Sequence, residues 1–124
     1  MSSLLLYLSA ALVLITCITH SVVGEQRLIG PLLAHRAGPM RKDLSRQVLR
    51  FAWHLMSVLG LVSCYALIAA ARNPHLADKH LVALIGVIFT FAGFFDAIYT
   101  RGRHIGWPLL TLSGLTALAA LFLL

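Results

Sequence analysis

Three histidines and two carboxylates lie where apolar stretches of the chain give way to basic ones: His20, Glu25, His54, Asp96 and His104, with Tyr99 close to Asp96. Residues of these types support three chemistries. Neutral imidazoles of His20, His54 and His104 with Asp96 or Glu25 form a donor set suited to zinc or non-haem iron. His20 and His54, on two different helices, are the pattern of a bis-histidine haem b site, with Gly60 or Gly93 giving room to the macrocycle. The same groups could also exchange protons around a quinone head group, walled by Trp53, Trp107 and Tyr99. No H-E-x-x-H, C-x-x-C or C-x-x-C-H string fixes the choice. A fourth reading makes the cluster a hydrogen-bonded network that fixes helix ends, with Arg101 or Arg103 as the partner of Asp96.

Whether these residues can meet depends on the segments that carry them. The 124 residues are 60% hydrophobic and 11% charged, with a mean hydropathy of +0.89, outside the range of ordinary soluble domains. Four apolar runs, at about 4–23, 51–71, 81–100 and 105–124, each reach the roughly 20 residues that a helix needs to cross a bilayer. Backbone groups in lipid must be satisfied within the segment, and no run alternates as a barrel strand does. The expected fold is therefore all-α: one transmembrane domain over 1–124, a four-helix bundle running up-down-up-down, with a longer interfacial loop between helices 1 and 2.

The net charge of +6 and pI near 10.2 would suggest nucleic acid in a soluble chain, but the positions of the charges point elsewhere. Arg27, Arg36, Arg41, Lys42, Arg46 and Arg50 lie between the first two runs, and Arg101 and Arg103 between the last two; only Arg72 and Lys79 lie in the opposite connection. The positive-inside rule then places both termini outside and the basic connections in the cytoplasm, next to anionic lipid head groups. Nothing positive precedes the first run, and no clear small-x-small cleavage site precedes Glu25, so the run is expected to stay as a span. Cys17 and Cys64 fall at depths about 10 Å apart, too far for a disulfide, and are expected to be packing residues.

Helical spacing groups Cys17, His20, Ser21 and Gly24 on one face of the first run, and His54, Ser57, Leu61 and Cys64, with Gly60 beside them, on the second. Gly86, Thr90, Gly93 and Ala97 form a small-residue seam on the third. Gly30-Pro31 and Gly38-Pro39 read as breakers, leaving Leu28 to Ala34 as a short interfacial piece or re-entrant turn. Arg50 is expected to snorkel to the head groups and Trp53 to sit at the interface. The short connection from Arg72 to His80 makes spans two and three antiparallel neighbours. A faint repeat is also visible, since each odd run ends near a carboxylate and each even run begins with Arg, His and Trp within a few residues.

The strings His20-Ser21-Val22-Val23-Gly24-Glu25, Val48-Leu49-Arg50-Phe51-Ala52-Trp53-His54-Leu55 and Arg101-Gly102-Arg103-His104-Ile105-Gly106-Trp107-Pro108 resemble those of small, uncharacterised four-span proteins of bacterial inner membranes. The resemblance implies the architecture and membrane but supplies no reaction. The expected function is binding of a metal or redox cofactor by His20, His54, His104, Asp96 and Glu25, as an accessory subunit of a larger membrane complex or as a homo-oligomer. The alternatives are a metal-dependent intramembrane hydrolase and a purely structural or assembly subunit. For the topology, a cysteine at Ser45 should react with a thiol reagent only when it is admitted to the cytoplasm; reaction with an impermeant external reagent would invert the assignment of sides.

Overall fold

A computed structural model describes residues 1–124, and the chain is an all-α bundle of four helices. We denote them α1 (Ser2–Ala34), α2 (Asp43–Arg72), α3 (Lys79–Tyr99) and α4 (Gly106–Leu121). The first three are long and apolar enough to cross a membrane, whereas α4 is a shorter apolar helix of 16 residues. The protein is a helical membrane protein on these grounds.

The first helix departs from expectation. Gly30-Pro31 does not end it, and Leu28 to Ala34 is no separate interfacial piece. After 17 residues of α-helix the chain widens into two π-helical stretches, Thr19–Val23 and Glu25–Ile29, and returns to α-helix over Gly30–Ala34. Pro31 then falls in the first turn of that last piece, where a missing N–H is tolerated. Ile29 and Leu33 are buried. The 33 residues extend about 50 Å, beyond the roughly 30 Å of hydrocarbon. Gly38-Pro39 does break the chain: Ala37 is extended, Gly38 takes a φ of +52°, and a 3-10 turn over Gly38–Arg41 leads into α2.

The helices lie in the spatial order α2, α1, α4, α3, with α1 packed on both α2 and α4, and α3 packed on α4. The expected contact between spans two and three is nearly absent; α2 and α3 scarcely touch despite their short connection. The distribution of small residues accounts for this, because each helix uses its small face on a different neighbour. A Cβ on Gly60 of α2 would lie 2.5 Å from Cys17 Sγ of α1. Gly93 and Gly114, on α3 and α4, are pressed against Thr111 and Thr90 reciprocally, and a Cβ on Gly86 would lie 2.7 Å from Leu118 Cγ. The seam read from Gly86, Thr90 and Gly93 is thus an α3–α4 interface.

The apolar core gathers Leu6, Ala10, Val13 and Cys17 of α1, Cys64, Leu67, Ala70 and Ala71 of α2, Val82 and Ile85 of α3, and Ala117 and Ala120 of α4. Both cysteines are free and buried, as packing residues should be, and Cys64 Sγ lies 3.4 Å from the Ala10 carbonyl. Ser9 joins α1 to α4 by donating to the Ser113 carbonyl at 2.7 Å. Leu61, placed with His54 on one face by spacing alone, is exposed instead, while Ser57 and Cys64 are buried.

Gly93→Val should drive a branched side chain into Thr111 and destabilise the protein by about 1–3 kcal/mol, the usual cost of overpacking. Phe91→Val, at a side that is 71% exposed, should leave stability close to wild type. Thermal unfolding in detergent, followed by loss of helical circular dichroism, compares the two.

Candidate functional site

The end of the bundle carrying the basic connections holds all five candidate residues, but in two separate groups. On the α1–α2 hairpin, Glu25 meets Arg50 and His54: Oε1 is 2.8 Å from Arg50 Nη2, and Oε2 is 3.3 Å from His54 Nε2. On the α3–α4 hairpin, Asp96 Oδ2 lies 2.5 Å from His104 Nδ1. Each hairpin therefore joins a carboxylate in the second half of its first helix to a histidine on the other side of its connection, but His54 lies about three turns inside α2 whereas His104 precedes α4. Of the faint sequence repeat, the carboxylate–histidine pairing recurs in both hairpins, but the placement of the histidine at a helix start does not.

The face read as Cys17, His20, Ser21 and Gly24 does look inward, toward α2. His20 and Trp53 make a reciprocal exchange. His20 Nε2 donates to the Trp53 carbonyl at 3.2 Å, since a carbonyl can only accept. Trp53 Nε1 donates to the His20 carbonyl at 3.0 Å. The rings stack with centroids 4.2 Å apart and planes 13° from parallel. Gly24 makes this possible, because a Cβ there would lie 2.6 Å from Trp53 Cζ2. Trp53 is thus a cross-helix clamp and not only an interfacial anchor.

One residue further along each helix, Ser21 Oγ lies 2.6 Å from His54 Nδ1. The other imidazole nitrogen faces Glu25, whose carboxylate can only accept, so Nε2 carries a proton, and whenever the ring is neutral Nδ1 is the nitrogen that accepts from the Ser21 hydroxyl. The His54–Glu25 contact is close but off the hydrogen-bond axis. It leaves Oε2 of Glu25 buried without a well-aligned donor. Arg50, expected at the head groups, instead holds the other oxygen of this carboxylate while its side chain stays 52% exposed. Arg46, one turn earlier, pairs with Asp43 and donates to the Met40 carbonyl.

An open groove of about 800 Å³ lies against this network, lined by Gly30, Leu33 and Ala34 of α1 and by Asp43, Arg46, Gln47, Arg50, Phe51 and His54 of α2. The second hairpin has a different character. His104 is exposed and Asp96 largely covered, and Thr100 Oγ1 donates to the Asp96 carbonyl while accepting from the His104 N–H. Arg101 and Arg103 do not pair with Asp96; His104 does. Trp107 closes the turn by donating to the Gly102 carbonyl. Tyr99 is 80% exposed and stacks on Phe95, outside both groups.

The expected metal set therefore does not assemble. No group of three or more His, Cys, Asp or Glu side chains is placed to hold a metal ion, because His20 turns to Trp53, His54 to Ser21 and Glu25, and His104 to Asp96. A bis-histidine haem fits no better. The Nε2 of His20 is bonded to a carbonyl, the ring is covered by indole, and both nitrogens of His54 have partners. The sequence showed which residues share a depth. It did not show that Ser21, Arg50 and Trp53 would be the contacts that bind them.

Gly24→Val should push Trp53 off His20 and break both bonds of the exchange. In a Trp107→Phe background, where Trp53 is the only indole, its emission should move to longer wavelength and the unfolding temperature should fall by several degrees, corresponding to about 1–3 kcal/mol. An unchanged spectrum would show that the clamp does not depend on Gly24.

No protein-family model, curated protein or solved structure matches the chain, which leaves the side chains of this end as the guide to its chemistry.

Proposed function

We propose that the α1–α2 end of the protein binds an amphiphile with an anionic head group, an acidic lipid of the surrounding leaflet, in place of a metal ion or haem. The groove carries the reading. Its apolar lining, Leu33 and Phe51, adjoins Arg46, Arg50 and His54, so one end suits an acyl chain or glycerol backbone and the other a phosphate. The surroundings favour an anion as well. This end bears eight basic residues against the three acidic residues Glu25, Asp43 and Asp96, and Arg27, Arg36, Arg41 and Lys42 make no ion pair. The same imbalance supports placing this end in the cytoplasm of a bacterial cell and both termini outside, where the positive-inside rule and an acidic inner leaflet act together.

Native mass spectrometry of the full-length protein in detergent tests the binding, with phosphatidylglycerol and phosphatidylcholine offered at equal concentration. Phosphatidylglycerol should be retained preferentially, and Arg46→Ala with Arg50→Ala should weaken that retention by about tenfold or more, at roughly 1 kcal/mol for each charge near the surface. Equal retention of both lipids would sink the proposal. So would stoichiometric zinc or iron, or a Soret band, that disappears in His54→Ala.

A further inference from the structure

The hydroxyls of the bundle differ in what they bond. Thr16, Thr100, Ser113 and Thr116 donate to carbonyls of their own helix, and Ser9 to a carbonyl of α4. These are ordinary ways for a hydroxyl in an apolar helix to be satisfied. Ser21 makes no such bond and is directed at an imidazole. That imidazole is held from its far side by a carboxylate, and the carboxylate by an arginine. A hydroxyl facing a basic ring nitrogen, with the ring's other nitrogen facing a carboxylate, is the general arrangement of an activated nucleophile.

Two further features distinguish the position. Ser21 lies within the first π-helical stretch, an irregularity that occurs often at functional sites because it re-aims side chains that a regular helix would point elsewhere. His54 also lines the groove, so the base of this set borders the space assigned above to an amphiphile, while Ser21 itself is only half-buried.

We propose that Ser21 is a nucleophile for acyl transfer from an ester-bearing amphiphile with an anionic head group, with His54 as general base and Glu25 as the residue that positions it. The substrate class rests on the lipid-binding reading. In the first half-reaction, Ser21 Oγ adds to the ester carbonyl carbon as its proton passes to His54 Nδ1. The substrate's C–O bond then breaks, and the departing alcohol takes that proton, leaving an acyl ester on Ser21. In the second, a water molecule gives a proton to His54 and adds to the acyl carbon. The Ser21–acyl bond breaks, the carboxylic acid leaves and Ser21 recovers its proton. Arg50 holds Glu25 in place throughout.

The test uses the full-length protein in phosphatidylcholine nanodiscs and an alkyl fluorophosphonate, which reacts with activated serines far faster than with ordinary hydroxyls. The expected result is one phosphonyl adduct per chain, located on Ser21 by peptide mass spectrometry and absent in Ser21→Ala. His54→Gln should slow labelling by about 100-fold, within the usual contribution of a general base. As a second readout, a thiol at position 21, made by Ser21→Cys, should react with iodoacetamide at a rate whose pH profile is lost when His54→Gln is added. A folded wild-type protein that stays unlabelled overturns the proposal, as does labelling that survives Ser21→Ala. Phosphatidylglycerol retention without labelling would remove the nucleophile and leave the binding site standing. Labelling by a short uncharged phosphonate without lipid retention would support the nucleophile and remove the lipid.

Discussion

The reciprocal bond between His20 and Trp53 is the constraint on which the arrangement of the α1–α2 polar groups depends. Two helices in lipid gain little from hydrophobic association, since lipid tails are as apolar as leucine, and they hold together by close packing and by polar contacts that have no water to compete with them. Here each residue donates to the other's backbone carbonyl while the rings stack, so axial register and rotation are fixed together. With α1 and α2 locked at that point, Ser21 and Glu25 on one side and Arg50 and His54 on the other have little freedom to find different partners. The glycines at 24 and 60 permit the approach, and the polar contacts select among the approaches they permit.

The bundle is consequently two tight hairpins joined along α1 and α4, and not a ring of four equivalent contacts. Near the opposite end the shared core of Leu6, Leu67, Val82 and Ala120 draws all four helices together. At the basic end the hairpins keep separate polar pairs, Glu25 with His54 and Asp96 with His104. The first pair adjoins the open groove, and it alone is joined to a hydroxyl through the imidazole of its histidine. The second ties the start of α4 to the end of α3 through Thr100 and Trp107, and its role is that of a turn.

Hydropathy was enough to find four apolar helices and the all-α fold, with three of the helices long enough to cross a membrane, and helical spacing found the inward face of Cys17, His20, Ser21 and Gly24. Both are one-dimensional signals, and each reports something a single helix must satisfy by itself. Partner choice is different in kind. Depth placed His20, His54 and His104 at one level, but depth says nothing about direction around the helix axis, and the three imidazoles turn to three different partners. Arg50 illustrates the same gap, since an arginine near a helix start has head groups as its default neighbours until a carboxylate from another helix is known to be there. The neighbour order α2, α1, α4, α3 was equally hidden, because short loops suggest adjacency while the mating of small faces decides it. Gly30-Pro31 was misleading for a local reason: the widened turns before it put Pro31 where a helix accepts proline.

Those widened turns have a consequence for how the chain tolerates change. A π-helical turn closes its hydrogen bond over one residue more than an α-helical turn, so the stretch from Thr19 to Ile29 holds more residues than a regular helix of equal rise would. Removing a single residue there would let the segment relax to ordinary α-geometry without disturbing its apolar character. The residues beyond such a deletion would then keep close to their present direction around the axis, whereas the same loss in the regular helix before Thr19 would turn everything after it by about 100° and carry Glu25 away from Arg50 and His54. This part of α1 can therefore absorb the loss of one residue that a regular helix could not, and there the identity of the residues matters more than their number.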